Sequence, residues 1–347
     1  MKTLSAMAKN LSLSSGSPLC GSPITFAVTA ETLSGEVAFH RLVFTVVAKL
    51  FGSGDIREFS LSSPVDNGER IEIDVSSCLR SVADSYVYSP TPPPTYPIIT
   101  YSLKVADEYM QNGEVHSDVA MVESSGHKAL FGAYSDYERM LAGSSKLAQH
   151  FSRKPSYGEV VAVGETMVCP QSFSSAVSEV GISVGPTSNV VSIVSAGLQV
   201  INGRNVYAIE AKPKDERHQF RFVNGLGCLE SISVCSLREV DINVTKDTYL
   251  TSVGETFGNF SRTIVAKQND REKWKLSTGP LDRLWEQWFA HEFLMTKHCW
   301  TLVGSTWIYC NIVPEDTITL TSPTQVAMRE IQFTVELDLN GSPFLAV

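Results

Sequence analysis

Between Ile331 and Leu339 the chain alternates without a break. Ile331, Phe333, Val335, Leu337 and Leu339 are apolar, and Gln332, Thr334, Glu336 and Asp338 are polar. Successive side chains of a strand point to opposite faces, so this pattern demands a strand with one face buried and one face wet. The same period recurs at Ile71, Ile73 and Val75, and again at Ile99, Tyr101, Leu103 and Val105. Residues 36 to 50 are denser in β-branched and aromatic side chains and fit a strand buried on both faces at its centre. Val190 to Val194, Phe220 to Val223, Ile232 to Val234, and Trp300 to Val303 with Trp307 to Ile312 add further strands.

Turn chemistry separates these runs. Asp66-Asn67-Gly68, Asn224-Gly225-Leu226-Gly227 and Gly304-Ser305-Thr306 supply the residues that tight turns require. Asn202-Gly203 between Val200-Ile201 and Arg204-to-Tyr207 is the clearest hairpin signal, because Asn-Gly suits a two-residue type I′ turn. The helical period surfaces in three places. Ser76-Ser77 caps a short helix through Cys78, Leu79 and Val82. Ser135 and Glu138 have capping-box spacing and open a helix running towards His150. Leu281, Leu284, Trp285, Trp288, Phe289 and Phe293 share one helix face, with Pro280 at the first helical position and Asp282 near the positive end of the dipole.

The chain has 347 residues, more than one ordinary core holds. The expected fold is therefore mainly β with minor α: tandem β-sandwich-like domains with a few short helices and a mixed α+β C-terminal part. The expected domains are residues 1–153, ending in a helix, 154–245, and a Trp-rich 246–347. Hydrophobic residues at 43% and charged residues at 19% describe a foldable globular chain. A net charge of −9 disfavours non-specific binding to nucleic acid or an anionic membrane. No apolar stretch has the length of a membrane span, and Lys9 and Asn10 interrupt any secretion signal. The seven cysteines, Cys20, Cys78, Cys169, Cys228, Cys235, Cys299 and Cys310, are odd in number and widely spaced. They are expected as buried reduced thiols of a protein folded in the host cytoplasm, with Cys299 and Cys310 facing each other across neighbouring strands.

No pattern supports catalysis, a metal or a cofactor. His291-Glu292 lacks the second histidine of a zinc-protease helix, and His291, His298 and Cys299 match no standard ligand spacing. Asp107-Glu108 and Glu315-Asp316 read as solvated loop acids. Gly225-Leu226-Gly227 opens no helix and is no phosphate cradle. Two features remain as candidate interface or binding residues. Trp274, Trp285, Trp288, Trp300 and Trp307 are concentrated in the C-terminal part. Such a cluster is either a core or an exposed platform for a glycan, receptor or protein partner. Pro92, Pro93, Pro94 and Tyr96 lie in a Pro-rich run that lacks ladder N–H groups and so forms an extended connector or a partner ligand.

Ser22-Pro-Ile-Thr-Phe-Ala-Val28, Ile71-Glu-Ile-Asp-Val-Ser-Ser77 and Leu130-Phe-Gly-Ala-Tyr-Ser-Asp-Tyr-Glu-Arg-Met140 carry a resemblance, together with Phe220-Arg-Phe-Val-Asn-Gly-Leu-Gly227 and Ser277-Thr-Gly-Pro-Leu-Asp-Arg-Leu-Trp-Glu-Gln-Trp288. With the Trp-bearing strand pair and the alternating final strand, these segments resemble phage and prophage structural proteins of Bacteroides-type bacteria. The resemblance implies a non-enzymatic virion component associated with a tail or baseplate, without catalytic residues to carry over. Its partners would be other virion or tail proteins and further copies of itself, and its place the virion tail. The alternative is a glycan- or receptor-binding surface module built on the Trp cluster.

Overall fold

The structure is a computed structural model that describes residues 11–15, 19–50, 54–87, 91–92, 98–117, 122–135, 152–170, 189–201, 203–211, 216–253, 260–314 and 328–340. Twenty strands, two α-helices and one π-helical turn occur among them, so the chain is mainly β with minor α. No helix among the described residues is long and apolar enough to cross a membrane. The helix expected from Ser135 towards His150 lies, beyond its first residue, outside the described residues.

The N-terminal part is a sandwich of two sheets. One sheet has Val37–Leu50 at its centre, paired antiparallel with Ile56–Pro64 on one side and Ile98–Gln111 on the other. Glu114–Ser117 and Val122–Leu130 then pair with successive stretches of Ile98–Gln111. The other sheet orders Ser12–Ser15, Thr25–Thr29 and Arg70–Asp74. Leu42, Phe44, Val46, Ile99, Leu103 and Val105 are buried between the sheets, as their alternation requires. Helix α1 (Ser76–Val87) packs Leu79 and Val82 into the same core.

A small sandwich follows. Gly197–Ile201 and Arg204–Ile209 form the expected hairpin, with Ile201 opposite Arg204 and Gly203 at φ 77°. Glu159–Ala162 joins its far side in parallel. Thr166–Cys169 and Asn189–Ser192 make the second layer. Val161, Met167, Cys169, Ile193 and Val206 fill the space between.

The C-terminal part is one seven-stranded sheet. Its order runs Leu229–Cys235, Arg217–Val223, Cys299–Val303, Thr306–Pro314, Gln332–Asn340, Phe260–Ser277 and Glu239–Val253. The expected border at 245/246 therefore falls inside a strand, and the Arg217–Val223/Leu229–Cys235 hairpin belongs to the C-terminal sheet. The physical reason is pairing: Phe220, Arg221 and Phe222 lie opposite Thr301, Trp300 and Cys299 in the antiparallel ladder, a contact no local pattern announces. Helix α2 (Arg283–Trp288) and the π-helical turn Phe289–Phe293 cover one face. Asp282 is the cap, accepting from the N–H groups of Leu284 and Trp285. Pro280 thus lies before the helix and not at its first position. Leu284, expected on the apolar face, is exposed.

A glycine weld joins the N-terminal sandwich to this sheet. Within the sandwich the N–H groups of Cys20 and Gly21 donate to the carbonyls of Leu130 and Gly132, and across the joint the Ala133 N–H donates to the Gly225 carbonyl. A Cβ on Gly227 would overlap the Phe131 carbonyl, and one on Gly132 would overlap Leu226. Gly227 also sits at φ 83°. Leu19, Leu130, Val223, Leu226 and Trp300 pack around the weld as one apolar cluster. Gly227→Ala is expected to cost about 3 kcal/mol or more in denaturant unfolding, because strain and overlap add. Gly304→Ala, at φ 62° with nothing within 4 Å of its Cβ position, is expected to cost only about 1 kcal/mol. Equal losses would show that close backbone approach at Gly227 is unimportant.

Candidate functional site

The long strand Val37–Leu50 is not uniform. Its pairing with Ile98–Gln111 is interrupted between Ala38 and Arg41, so Phe39 and His40 together oppose Tyr109. This is a β-bulge, a device that re-aims side chains. Phe39 adopts φ 53°, a region bulky L-residues avoid, and its side chain stands 80% exposed. Residues 36 to 50 were expected as a strand buried on both faces at its centre; there Leu42, Phe44 and Val46 are buried and Val43, Thr45 and Val47 half-buried, and nearer its start the bulge turns Phe39 out to solvent. The positive φ and the exposure occur together, which is the combination found where strain serves a site.

The residues beside Phe39 hold it there. His40 Nε2 is 2.9 Å from Asp107 Oδ1, and the Asp107 side chain is fully buried. The His40 carbonyl accepts from the Val65 N–H at 3.1 Å. The His40 ring meets Tyr109 edge-on at 6.0 Å, and Tyr109 stacks on His116 at 5.3 Å. Arg41 donates to Glu108 across the pair at 2.7 Å. Asp107 and Glu108 were expected as solvated loop acids. They lie instead within a strand, one buried on a histidine and the other paired with an arginine, because the pairing sets Arg41 opposite Glu108 and the bulge places His40 diagonally across from Asp107. Phe39, Pro64, Tyr109, Met110 and Val115 line a hollow of about 400 Å³, with Val115 65% exposed. No spacing rule marks Phe39 in the sequence.

The tryptophans are elsewhere. Trp274, Trp285, Trp288 and Trp300 are buried, at 2%, 7%, 4% and 0% exposure. They therefore form no exposed platform: Trp274, Trp285 and Trp288 pack in the core between helix α2 and the sheet, and Trp300 packs at the weld against Leu19 and Leu130. Trp285 Nε1 donates to the Tyr157 carbonyl at 2.8 Å. The buried Lys154 ammonium lies 5.8 Å and 5.3 Å from the Trp285 and Trp288 ring centres. Lys154 also donates to Glu159 and to the Ser231 carbonyl, which fastens the small sandwich to the seven-stranded sheet. Trp307 is half-buried under the Arg221 guanidinium, 4.2 Å from the ring centre. Pro92 is half-buried, and Pro93, Pro94 and Tyr96 lie outside the described residues.

A second hollow, of about 150 Å³, sits at the glycine weld and is lined by Arg80, Gly132, Asn224, Glu292 and His298 among others. Glu292 accepts from Arg153 and from the Gly225 N–H at 2.7 Å, and Arg153 donates onward to the Ala133 carbonyl at 3.1 Å. The carboxylate thereby ties the π-helical turn to the weld. Burial raises its pKa despite Arg153. Cys299 lies opposite Cys310, as expected, with both thiols free and buried. Burial pushes the Cys20 and Cys169 thiols up to about 11 and about 12, so neither is a ready nucleophile. Cys235 is exposed, against the expectation that all seven are buried. No cluster of three or more His, Cys, Asp or Glu side chains that could hold a metal occurs among the described residues.

No protein-family model, no curated protein and no solved structure matches the chain.

The Phe39 geometry sets a measurable trade. Phe39→Gly is expected to stabilise the protein by about 1 kcal/mol, since glycine adopts positive φ without the Cβ penalty. A loss of stability would mean that Phe39 is held by packing and not against strain. Protonation gives a second expectation. His127, His218 and His298 have pKa values lowered below 6.5, in each case first by burial. The unfolded chain then binds more protons than the folded one, so their stabilisation is present above pH 6.5 and is lost as pH falls through the folded values. Glu292, raised above 4.5, acts in the opposite sense. Three histidines against one glutamate make the denaturant midpoint fall as pH drops below 6.5, and a midpoint that rises there would contradict the assignment.

Proposed function

We propose that this chain is a non-enzymatic structural component of a phage or prophage particle, associated with its tail or baseplate, that acts by protein–protein assembly. The observation that carries the reading is Phe39, an aromatic side chain turned to solvent at a strained bulge and braced from behind by the His40–Asp107 pair. Exposed aromatics with their position fixed in advance are the anchors of protein interfaces, because they bury a large area at little entropic cost. The hollow beside Phe39 offers apolar walls from Pro64, Met110 and Val115, rimmed by the Arg41–Glu108 pair. An apolar centre with a charged rim is the usual layout of a protein contact. The welded N- and C-terminal parts form a stiff frame from which such an anchor can act. The resemblance to virion proteins of Bacteroides-type phages supports the particular kind of assembly. The glycan-platform alternative loses its support with the burial of four of the five tryptophans.

Particles banded in a density gradient from the strain that encodes the chain provide the test. The chain is expected in the band at fixed stoichiometry, and Phe39→Ala is expected to lower its incorporation about tenfold or more without lowering the unfolding midpoint. Absence of the chain from banded particles would remove the virion reading. Full incorporation of the variant would remove Phe39 as the anchor.

A further inference from the structure

The hollow at the glycine weld, of about 150 Å³, is lined by two cations that the fold leaves unpaired. Arg80 comes from helix α1, and Lys297 from the turn after Phe289–Phe293. Both side chains are exposed, and among the described residues neither makes a hydrogen bond or an ion pair. Asp84, one helical turn beyond Arg80, lies outside ion-pair distance of it. Among the described lining residues the carboxylate is Glu292, and it is already engaged by Arg153 and the Gly225 N–H. His298 is buried, and burial holds its pKa below 6.5, so its ring adds no charge near neutral pH. In a chain whose acids outnumber its bases 37 to 28, two uncompensated cations around one small hollow call for an anion.

The weld fixes where these cations stand. A Cβ on Gly21 would lie 2.9 Å from Arg80 Nη2, so the missing side chain leaves the guanidinium its place beside Gly132 and Ala133. The turn that carries Lys297 is pinned on both sides. The Thr296 hydroxyl donates to the Val223 carbonyl at 2.9 Å, and the Val223 N–H donates to the His298 carbonyl at 3.0 Å. The Tyr309 hydroxyl donates to the Lys297 carbonyl at 2.9 Å. Phe131 and Val223 form apolar wall, beside which charge attraction is stronger than in open water.

We propose that this hollow binds a phosphate-class oxyanion, held by Arg80 and Lys297, with His291 as a further donor at its exposed rim. Two cations around so small a space repel each other, and a dianion between them turns that repulsion into attraction. A planar guanidinium fork and a point-charge ammonium are the donors that phosphate oxygens take. A carboxylate carries one charge and would leave one cation unmet. The space holds several waters, or one tetrahedral oxyanion in their place. The phosphate is therefore the free ion, or the end of a monoester whose remainder stays outside. Arg80 belongs to the N-terminal sandwich and Lys297 to the C-terminal part, so the bound anion clamps the weld from both sides. The site is separate from Phe39 and goes beyond the assembly reading.

Isothermal titration of the full chain with inorganic phosphate, at an ionic strength held constant with sodium chloride, tests it. Wild-type protein is expected to bind phosphate, and its urea midpoint is expected to rise with phosphate concentration, as binding to the folded chain alone requires. Arg80→Gln and, separately, Lys297→Gln are each expected to weaken binding about tenfold or more. Their urea midpoints in chloride are expected to match wild type, because neither side chain has a partner to lose. Glycerol phosphate separates the two sources. Binding equal to that of inorganic phosphate assigns the hollow to a phosphate carried on a larger molecule, and binding of inorganic phosphate alone assigns it to the free ion. No heat and no midpoint shift with either compound, up to tens of millimolar, overturns the proposal. So does acetate that binds as tightly as phosphate, or phosphate binding that both glutamine variants leave untouched.

Discussion

The arrangement of this protein depends on three glycines where backbone meets backbone. Gly132 and Gly227 let the N-terminal sandwich and the Asn224–Gly227 turn approach closer than any side chain permits, and Gly21 packs on Gly132 from within the sandwich. The Ala133-to-Gly225 main-chain bond across this contact is directional, and apolar packing by Leu226 and Trp300 surrounds it. Glu292 and Arg153 then brace the contact from the π-helical turn. A joint of this kind fixes relative orientation in a way that a linker does not.

The second joint uses charge. Lys154, almost fully buried, reaches Glu159 and Ser231 and lies over two tryptophans, while Arg204 and Ser152 meet Glu230 close by. Burying these ions costs desolvation, and mutual pairing offsets it. Such a network contributes less to net stability than to specifying one arrangement, since any shift would strand a buried charge. Among the described residues, the strained Phe39 bulge stands clear of both joints, with its ring exposed.

Much of the fold was legible in local pattern. Period-two runs at 71–75, 99–105 and 331–337 became strands with the expected face buried, and Gly197–Ile201 and Arg204–Ile209 paired as the expected hairpin. These signals are local because side-chain direction and turn geometry are set within a few residues. The site was much less so. Phe39 lies in a run that reads as buried strand, and only the two-against-one pairing with Tyr109 turns it outwards. Asp107 and Glu108 read as loop acids until the cross-strand neighbours His40 and Arg41 give them partners. The Trp cluster was legible as a cluster, but whether its rings faced solvent depended on what helix α2 and the weld cover.

By itself, the sequence determined the class of structure: a long, acidic, mainly β chain whose strands, turns and short helices follow from periodicity, proline and glycine placement and capping chemistry. Only the tertiary structure decided which strands share a sheet, where the parts divide, which acids are buried and which aromatics meet water. The reason is that strand pairing, bulges and close backbone approach join residues tens to hundreds of positions apart. Phe131 and Gly227, or Phe222 and Cys299, carry no mark of each other until the chain has folded.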